Sequence, residues 1–250
     1  MRVTLLVVLL VLIPQTLLAY EPSLFNVKSP ADLESGQAEI KIQHRFYGDV
    51  TDEPLKNFLG ADTGANVCVG LRYILSGLEL NASRLRNRRE YILAAGYGRA
   101  LPGIPLRGQL DFHFFRYEEF DLEINDVDNK SGVFGLLSLQ TEPIHNRLSA
   151  AVNLGYDNEE EEFGAGLGVA IAVYERMGTL QKVSVIGEYF PTTNGDENEQ
   201  SYAFGLRFET YGHHFDFILG NNTEMGVRRL MSGVMKNADL HFGFNIKRRT

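Results

Sequence analysis

Basic residues are in the minority in this 250-residue chain: 24 Lys and Arg stand against 32 Asp and Glu, a formal charge of −8, which excludes a strongly basic nucleic-acid binder. Cysteine is almost missing, and the lone Cys68 rules out an intrachain disulfide framework; on an inward face among polar residues it reads as a small filler. Beyond the first residues no segment is apolar enough to span a membrane as a helix. There is no linker, low-complexity stretch or second composition regime, so the chain reads as one domain from about 37 to 250. No motif demands a metal or a cofactor. The stretch Asp126-Val-Asp128-Asn-Lys-Ser-Gly132 follows a calcium loop for two positions and then puts Lys130 where a ligand is needed. His213 and His214 are neighbours on a strand, so their rings face opposite sides and cannot share one mononuclear site without a bulge.

What is present begins with export. Arg2 precedes an apolar run from Val3 to Ile13, followed by Pro14 and Gln15-Thr-Leu-Leu-Ala19. A basic start, an apolar core of about 11 residues and a small residue at the end make a secretory signal over 1–19, too short for a spanning helix. Residues 20–36, with Pro22, Ser29, Pro30 and Gly36 and little periodicity, read as a periplasmic lead-in.

From Ala38 to Lys247 apolar and polar residues alternate in segments of roughly ten, the period of a strand whose side chains face opposite sides of a sheet. Ala38, Ile40, Ile42 and Phe46 oppose Glu39, Lys41, Gln43 and Arg45. Leu106, Leu110, Phe112 and Phe114 oppose Arg107, Gln109, Asp111 and His113, and Tyr202, Phe204, Leu206 and Phe208 oppose Ala203, Gly205, Arg207 and Glu209. Further segments at 65–73, 78–84, 90–99, 133–140, 148–157, 163–174, 182–190, 213–220 and 240–247 bring the count to about twelve. Connections at 47–63, 118–130, 191–200 and 221–237 are long and fall on one side; those at 74–77, 101–105, 141–146, 175–181 and 211–213 are short and fall on the other. External loops near 85–89 and 158–162 are short too. The fold class is therefore all-β: a single antiparallel up-and-down transmembrane β-barrel of about twelve strands.

Charge decides which face meets lipid, because Arg or Lys at mid-bilayer on a barrel costs about 2 to 4 kcal/mol. The face of Ile40, Val67, Phe112 and Leu206 points outward. Glu39, Lys41, Arg45, Arg72, Glu79, Arg107, Asp111, Glu188, Arg207, Glu209 and Asp216 line the lumen, near enough to balance that pairing across it is expected. Two inward faces are almost bare: Ala94, Gly96 and Gly98, and Gly164, Gly166, Gly168 and Ala170. They leave room for a solute path or let long Arg and Glu side chains fill the bore. An unpaired charge in a narrow lumen is expensive and a paired one plugs it, which favours filling. Acid gathers in the external loops, at Asp49, Asp52, Glu53 and Asp62, at Glu118 to Asp128, at Asp157 and Glu159 to Glu162, and at Asp196 to Glu199; solvated loops are the plain reading. Pro54 to Leu59 and Met225 to Met235 have apolar spacing for one or two helical turns that fold over the mouth.

His44-Arg-Phe46 with Gly48, Phe58-Leu-Gly-Ala-Asp62, Ala65-Asn66 and Gly77-Leu78 resemble the N-terminal half of a family of β-barrel proteins of Bacteroidota grouped as domain of unknown function 5777. Gly205, Glu209-Thr210, Gly212-His213, Phe215, Asn221-Asn222 and His241-Phe-Gly-Phe-Asn-Ile246 resemble its C-terminal half more closely. Residues 118–200 match least, and members carry a further aromatic after the last strand's Arg, where this chain reads Lys247-Arg-Arg-Thr250. The resemblance implies an outer-membrane barrel of unassigned activity, with outer-membrane lipid and the barrel-insertion machinery as its partners. It supplies no catalytic residues.

The favoured function is a narrow, porin-like passage for small solutes or ions. The alternative is a plugged structural or adhesion barrel that binds a partner through its acidic external loops. A soluble lipocalin-type barrel is disfavoured by the apolar outer face. An outer-membrane lipase would need Ser83, Ser149, His113 or His214 in mutual reach with an orienting group, and no local motif brings them together, so the chain does not read as an enzyme.

Overall fold

Alternation becomes a ladder at each of the twelve segments named above. The computed structural model describes residues 24–30, 35–121, 126–141, 143–144, 147–191, 198–235 and 239–250. The export signal over 1–19 and residues 20–23 and 31–34 of the lead-in lie outside them. The wall strands are β1 (Ala38–Asp49), β2 (Ala65–Leu75), β3 (Leu78–Leu85), β4 (Tyr91–Ala100), β5 (Leu106–Asp121), β6 (Asp126–Thr141), β7 (Leu148–Asp157), β8 (Glu162–Met177), β9 (Leu180–Phe190), β11 (Ser201–Thr210), β12 (His213–Gly220) and β14 (His241–Arg249). Two-residue strands β10 (Asn198–Glu199) and β13 (Val234–Met235) pair in the external loops as a separate ribbon.

Each wall strand pairs antiparallel with its neighbours in the chain, and β14 closes on β1 through Ile42↔Ile246 and Gln43↔Asn245. Closure leaves no strand edge, the condition for a sheet to cross hydrocarbon with its backbone polar groups satisfied. Val69, Leu71, Leu93, Leu110, Phe112, Val169 and Phe217 lie outward, each between 40 % and 61 % exposed. An apolar belt of that extent is a lipid-facing surface. We expect Leu71→Arg to lower barrel stability by about 2 to 4 kcal/mol in denaturant unfolding from vesicles. Arginine at the adjacent position, Arg72, is buried inside the wall.

Three segments differ from the expectation. The long loop expected at 118–130 is mostly an extended hairpin, with β5 and β6 paired as far as Asp121↔Asp126. A ladder of backbone hydrogen bonds needs no apolar face once it has risen above the bilayer, and Arg89 and Arg88 pair with Glu118 and Glu119 on its flank, at 2.9 and 3.9 Å. Residues 54–59 do not cover the mouth. A 3-10 turn forms slightly later, at Phe58–Thr63, and Leu55 is 96 % exposed. Gly60, at φ +80°, packs its backbone on that of Gly48, where a Cβ on either would collide, and Tyr47 N–H donates to Gly64 O, so the loop is pinned to the rim. Finally, residues 24–30 of the expected periplasmic lead-in lie inside the barrel. Leu24, Phe25 and Val27 are buried against Phe115, Phe134, Leu136, Ile186, Phe190 and Ile218 from the wall.

Candidate functional site

The inward face of the wall carries the charge that the outward face cannot. Glu39, Arg45, Arg72, Glu79, Asp111, Glu188, Arg207, Glu209 and Asp216 are all buried and face the interior; Lys41 and Arg107 face it too but are partly exposed, Arg107 near the short-turn end. Their pairing is local. Arg207 and Asp216, direct cross-strand partners, meet at 2.6 Å; Lys247 stands 3.7 Å from the same carboxylate and Asn245 donates to it at 3.0 Å. Arg72 approaches Glu39 at 3.3 Å and Glu79 at 3.9 Å. Arg45 donates to Asn245 Oδ1 at 2.9 Å. Charges removed from water persist only with such partners.

The first insert is the segment Leu24–Pro30, bent at Phe25–Val27, which is held by polar groups from six strands. Lys28 Nζ sits 2.8 Å from Glu79 and 2.6 Å from Asp111, and Gln109 donates to both carboxylates. Asn153 clasps the backbone of Lys28, accepting its N–H at 2.7 Å and donating to its carbonyl at 2.7 Å. Glu188 accepts the backbone N–H groups of Asn26 and Val27, both at 2.8 Å, and the Asn26 side-chain amide at 3.0 Å. Gln43 donates to Phe25 O, and Lys247 to Leu24 O. The segment's backbone is thereby satisfied by side chains, as an irregular stretch inside a barrel requires.

The second insert comes from the other end. The loop after β12 runs inward, and its one-turn helix Val227–Met231 is buried throughout. Arg228 donates to Glu90 at 2.7 Å and to Asp157 at 2.7 Å, and Arg229 donates to Glu90 at 2.9 Å. The Arg228 guanidinium lies 3.7 Å from the centroid of Phe115, and that of Arg229 lies 4.2 Å from Tyr117. Burial works against the charge on Arg228, but Glu90 and Asp157 more than offset it and hold the group above its ordinary value. Asn66 donates to Thr223 O, Asn222 to Ser201, and Asn87 to Glu224, fastening the descending chain to the rim.

The bare faces now have occupants. A Cβ at Gly164 would overlap Met231, and one at Gly168 would overlap Leu24, so the small-residue strip on β8 is the bed on which both inserts lie. Opposite Gly96 and Gly98 sit Asp111 and Gln109, polar side chains of the wall itself. A cavity of about 10 Å³ remains among Asn26, Arg45, Phe190, Ser201 and Leu230, room for about one water.

The residues weighed for catalysis are not assembled. Ser83, Ser149, His113 and His214 face inward on four strands that are not neighbours, away from the lipid-facing rim. His113 is in register with Phe134 and hence with Asp157, eight residues along β7 from Ser149, which separates the two by about 26 Å. His213 lies on the partly exposed outer side against Arg248, whereas His214 is buried inside. Among the described residues no three His, Cys, Asp or Glu side chains come together as a metal site. Cys68 packs with Leu85 and Met225.

Lys28, Asn153, Glu90, Arg228 and Arg229 form the closing contacts and were not singled out in the sequence. Asn153 is detectable: it is a large amide on an inward face whose other members are the small Ser149, Ala151 and Gly155 and, at the strand's end, Asp157. The arginines carry no such signal, because a basic pair in an external loop normally marks a solvated surface.

No curated protein matches the sequence. The solved structures of similar shape include the KdgM porin, with a TM-score of 0.49 at 10% identity over 84% of this chain and 97% of that one. They also include the outer membrane protein Omp33 of Acinetobacter baumannii, with a TM-score of 0.47 at 10% identity over 86% and 98%, and LpxR from Salmonella typhimurium, with 0.47 at 12% identity over 86% and 99%. Likeness at this level does not extend to activity. Over residues 136–249, which hold β7, β8, β9, β11, β12 and β14 entire and part of β6, the chain matches the family model described as membrane bound beta barrel domain, DUF5777.

Proposed function

We propose that this protein is a porin-like barrel of the bacterial outer membrane that passes small solutes or ions, held shut by Leu24–Pro30 and opened when that segment withdraws. One observation carries the reading: besides the packing of Leu24, Phe25 and Val27, the segment is tied to the wall by its Lys28 ammonium and by hydrogen bonds from side chains, with no strand pairing of its own. Contacts of that kind exchange for water without disturbing the barrel's ladder, and the charged wall left behind is a hydrated path. The second reading, a permanently closed barrel that works through its external loops, draws on the buried arginine contacts at the mouth.

Planar bilayers separate them. Lys28→Glu puts a third carboxylate against Glu79 and Asp111, so the full-length variant is expected to give single-channel steps where the parent is silent. Silence of the variant, with normal heat-modifiable migration on a gel as proof of folding, would favour the closed barrel.

A further inference from the structure

The contacts made by Asn26, Val27 and Lys28 are those of a bound peptide. Glu79 and Asp111 form a two-carboxylate seat for a primary ammonium, at 2.8 and 2.6 Å. Asn153 reads both the N–H and the carbonyl of the lysine residue, as a neighbouring strand would. Glu188 takes two successive backbone N–H groups one and two residues earlier. Gly168 makes the apolar shelf for the side chains at Leu24 and Val27. Asp111 is fully buried, and its Oδ2 accepts no hydrogen bond among the described residues, so the seat has capacity for a further donor.

These elements are built into the wall, on β3, β5, β7, β8 and β9, and the chain's own segment is their present occupant. We propose that the lumen is a binding site for short lysine-containing peptides, and that Leu24–Pro30 is the tethered, competing copy. A free peptide enters at a disadvantage, since the tethered copy acts at a high effective concentration. Any weakening of the tethered lysine therefore exposes the site. The idea rests on the passage reading for its conductance arm only.

The test uses full-length Lys28→Glu protein and a synthetic peptide of the sequence Leu-Phe-Asn-Val-Lys-Ser-Pro, capped at both ends. The peptide is expected to block the channel and to raise the thermal unfolding temperature of the detergent-solubilised barrel. A version with glutamine in place of its lysine is expected to bind about tenfold or more weakly, the cost of a lost charge-assisted contact. Glu79→Gln in the same background is expected to narrow the difference between the two peptides, the Asp111 contact remaining, while Asn153→Ala weakens both. Equal binding of the two peptides to Lys28→Glu, or an equal effect from pentylamine, would overturn the peptide assignment and leave the passage standing. A silent Lys28→Glu channel that is nevertheless stabilised by the lysine peptide alone would support the site and overturn the passage. No conductance and no stabilisation would overturn both.

Discussion

Glu90→Ala is expected to lower the stability of the closed barrel by about 3 to 5 kcal/mol and to release the loop after β12 to protease. The carboxylate is 1 % exposed and is the common acceptor of Arg228 and Arg229. Without it Arg229 loses its carboxylate partner and Arg228 keeps, among the described residues, the carboxylate of Asp157, in a pocket roofed by Phe115 and Tyr117 where water does not replace the lost contacts. Removing one partner of a buried ion pair has a cost of that size because the other charge stays buried. Protease added to intact vesicles, followed by mass analysis for cuts between 221 and 235, reads the loop separately from the barrel. A loop that stays resistant, with unfolding unchanged, would show that the apolar contacts of Leu230 and Met231 suffice to hold it. Conductance adds a further distinction: the N-terminal segment still fills the lower lumen, so this variant is expected to remain closed in the bilayer.

The wall was legible in the sequence because its rule is local. Lipid on one side and charge on the other impose a period of two, and Ile40, Leu71, Phe112 or Leu206 declares its face without reference to any distant residue. The bore obeys no such rule. Whether Gly164 and Gly168 leave a hole or make a bed depends on Met231 and Leu24, residues 67 and 144 positions away, and nothing periodic connects them. The segment around Lys28 reads as a periplasmic lead-in because it lacks alternation; it lacks alternation because its backbone is met by side chains, at Glu188 and Asn153, instead of by a ladder. The acidic loops misled in a similar way. Asp157 belongs to the run with Glu159 to Glu162 and reads as rim solvation, yet it is buried beneath Arg228, while Glu159 accepts from Tyr117. The apolar spacing of Met225 to Met235 did signal a helical turn, but its neighbours Arg228 and Arg229 gave no sign that they would enter with it.

The charged pair inside the wall allows a sharper test of what the lumen's ions are for. Asp216→Ala is expected to cost about 3 to 5 kcal/mol in denaturant unfolding, since it leaves Arg207 and Lys247, 2 % and 1 % exposed, with their shared carboxylate gone. Arg207 and Asp216 are direct cross-strand partners on β11 and β12, so in a Lys247→Met background, which takes away the third ion, the double replacement Arg207→Met, Asp216→Leu removes the remaining pair at one place in the register. If the pair's role is net stability, the double variant should be at least as unstable as the single one. The desolvation argument gives the opposite expectation: apolar residues of similar volume next to buried Ile218 and Ile186 recover most of the loss, and the coupling in the double-mutant cycle is large. The ions would then serve to fix the register of a strand pair whose outward faces, Leu206 and Phe217, are apolar enough to tolerate a slip. A double variant that unfolds at the parent's denaturant concentration but gives split or broadened gel mobility would be the signature of that role. One that is no more stable than Asp216→Ala would return the ion pair to an ordinary stabilising contact.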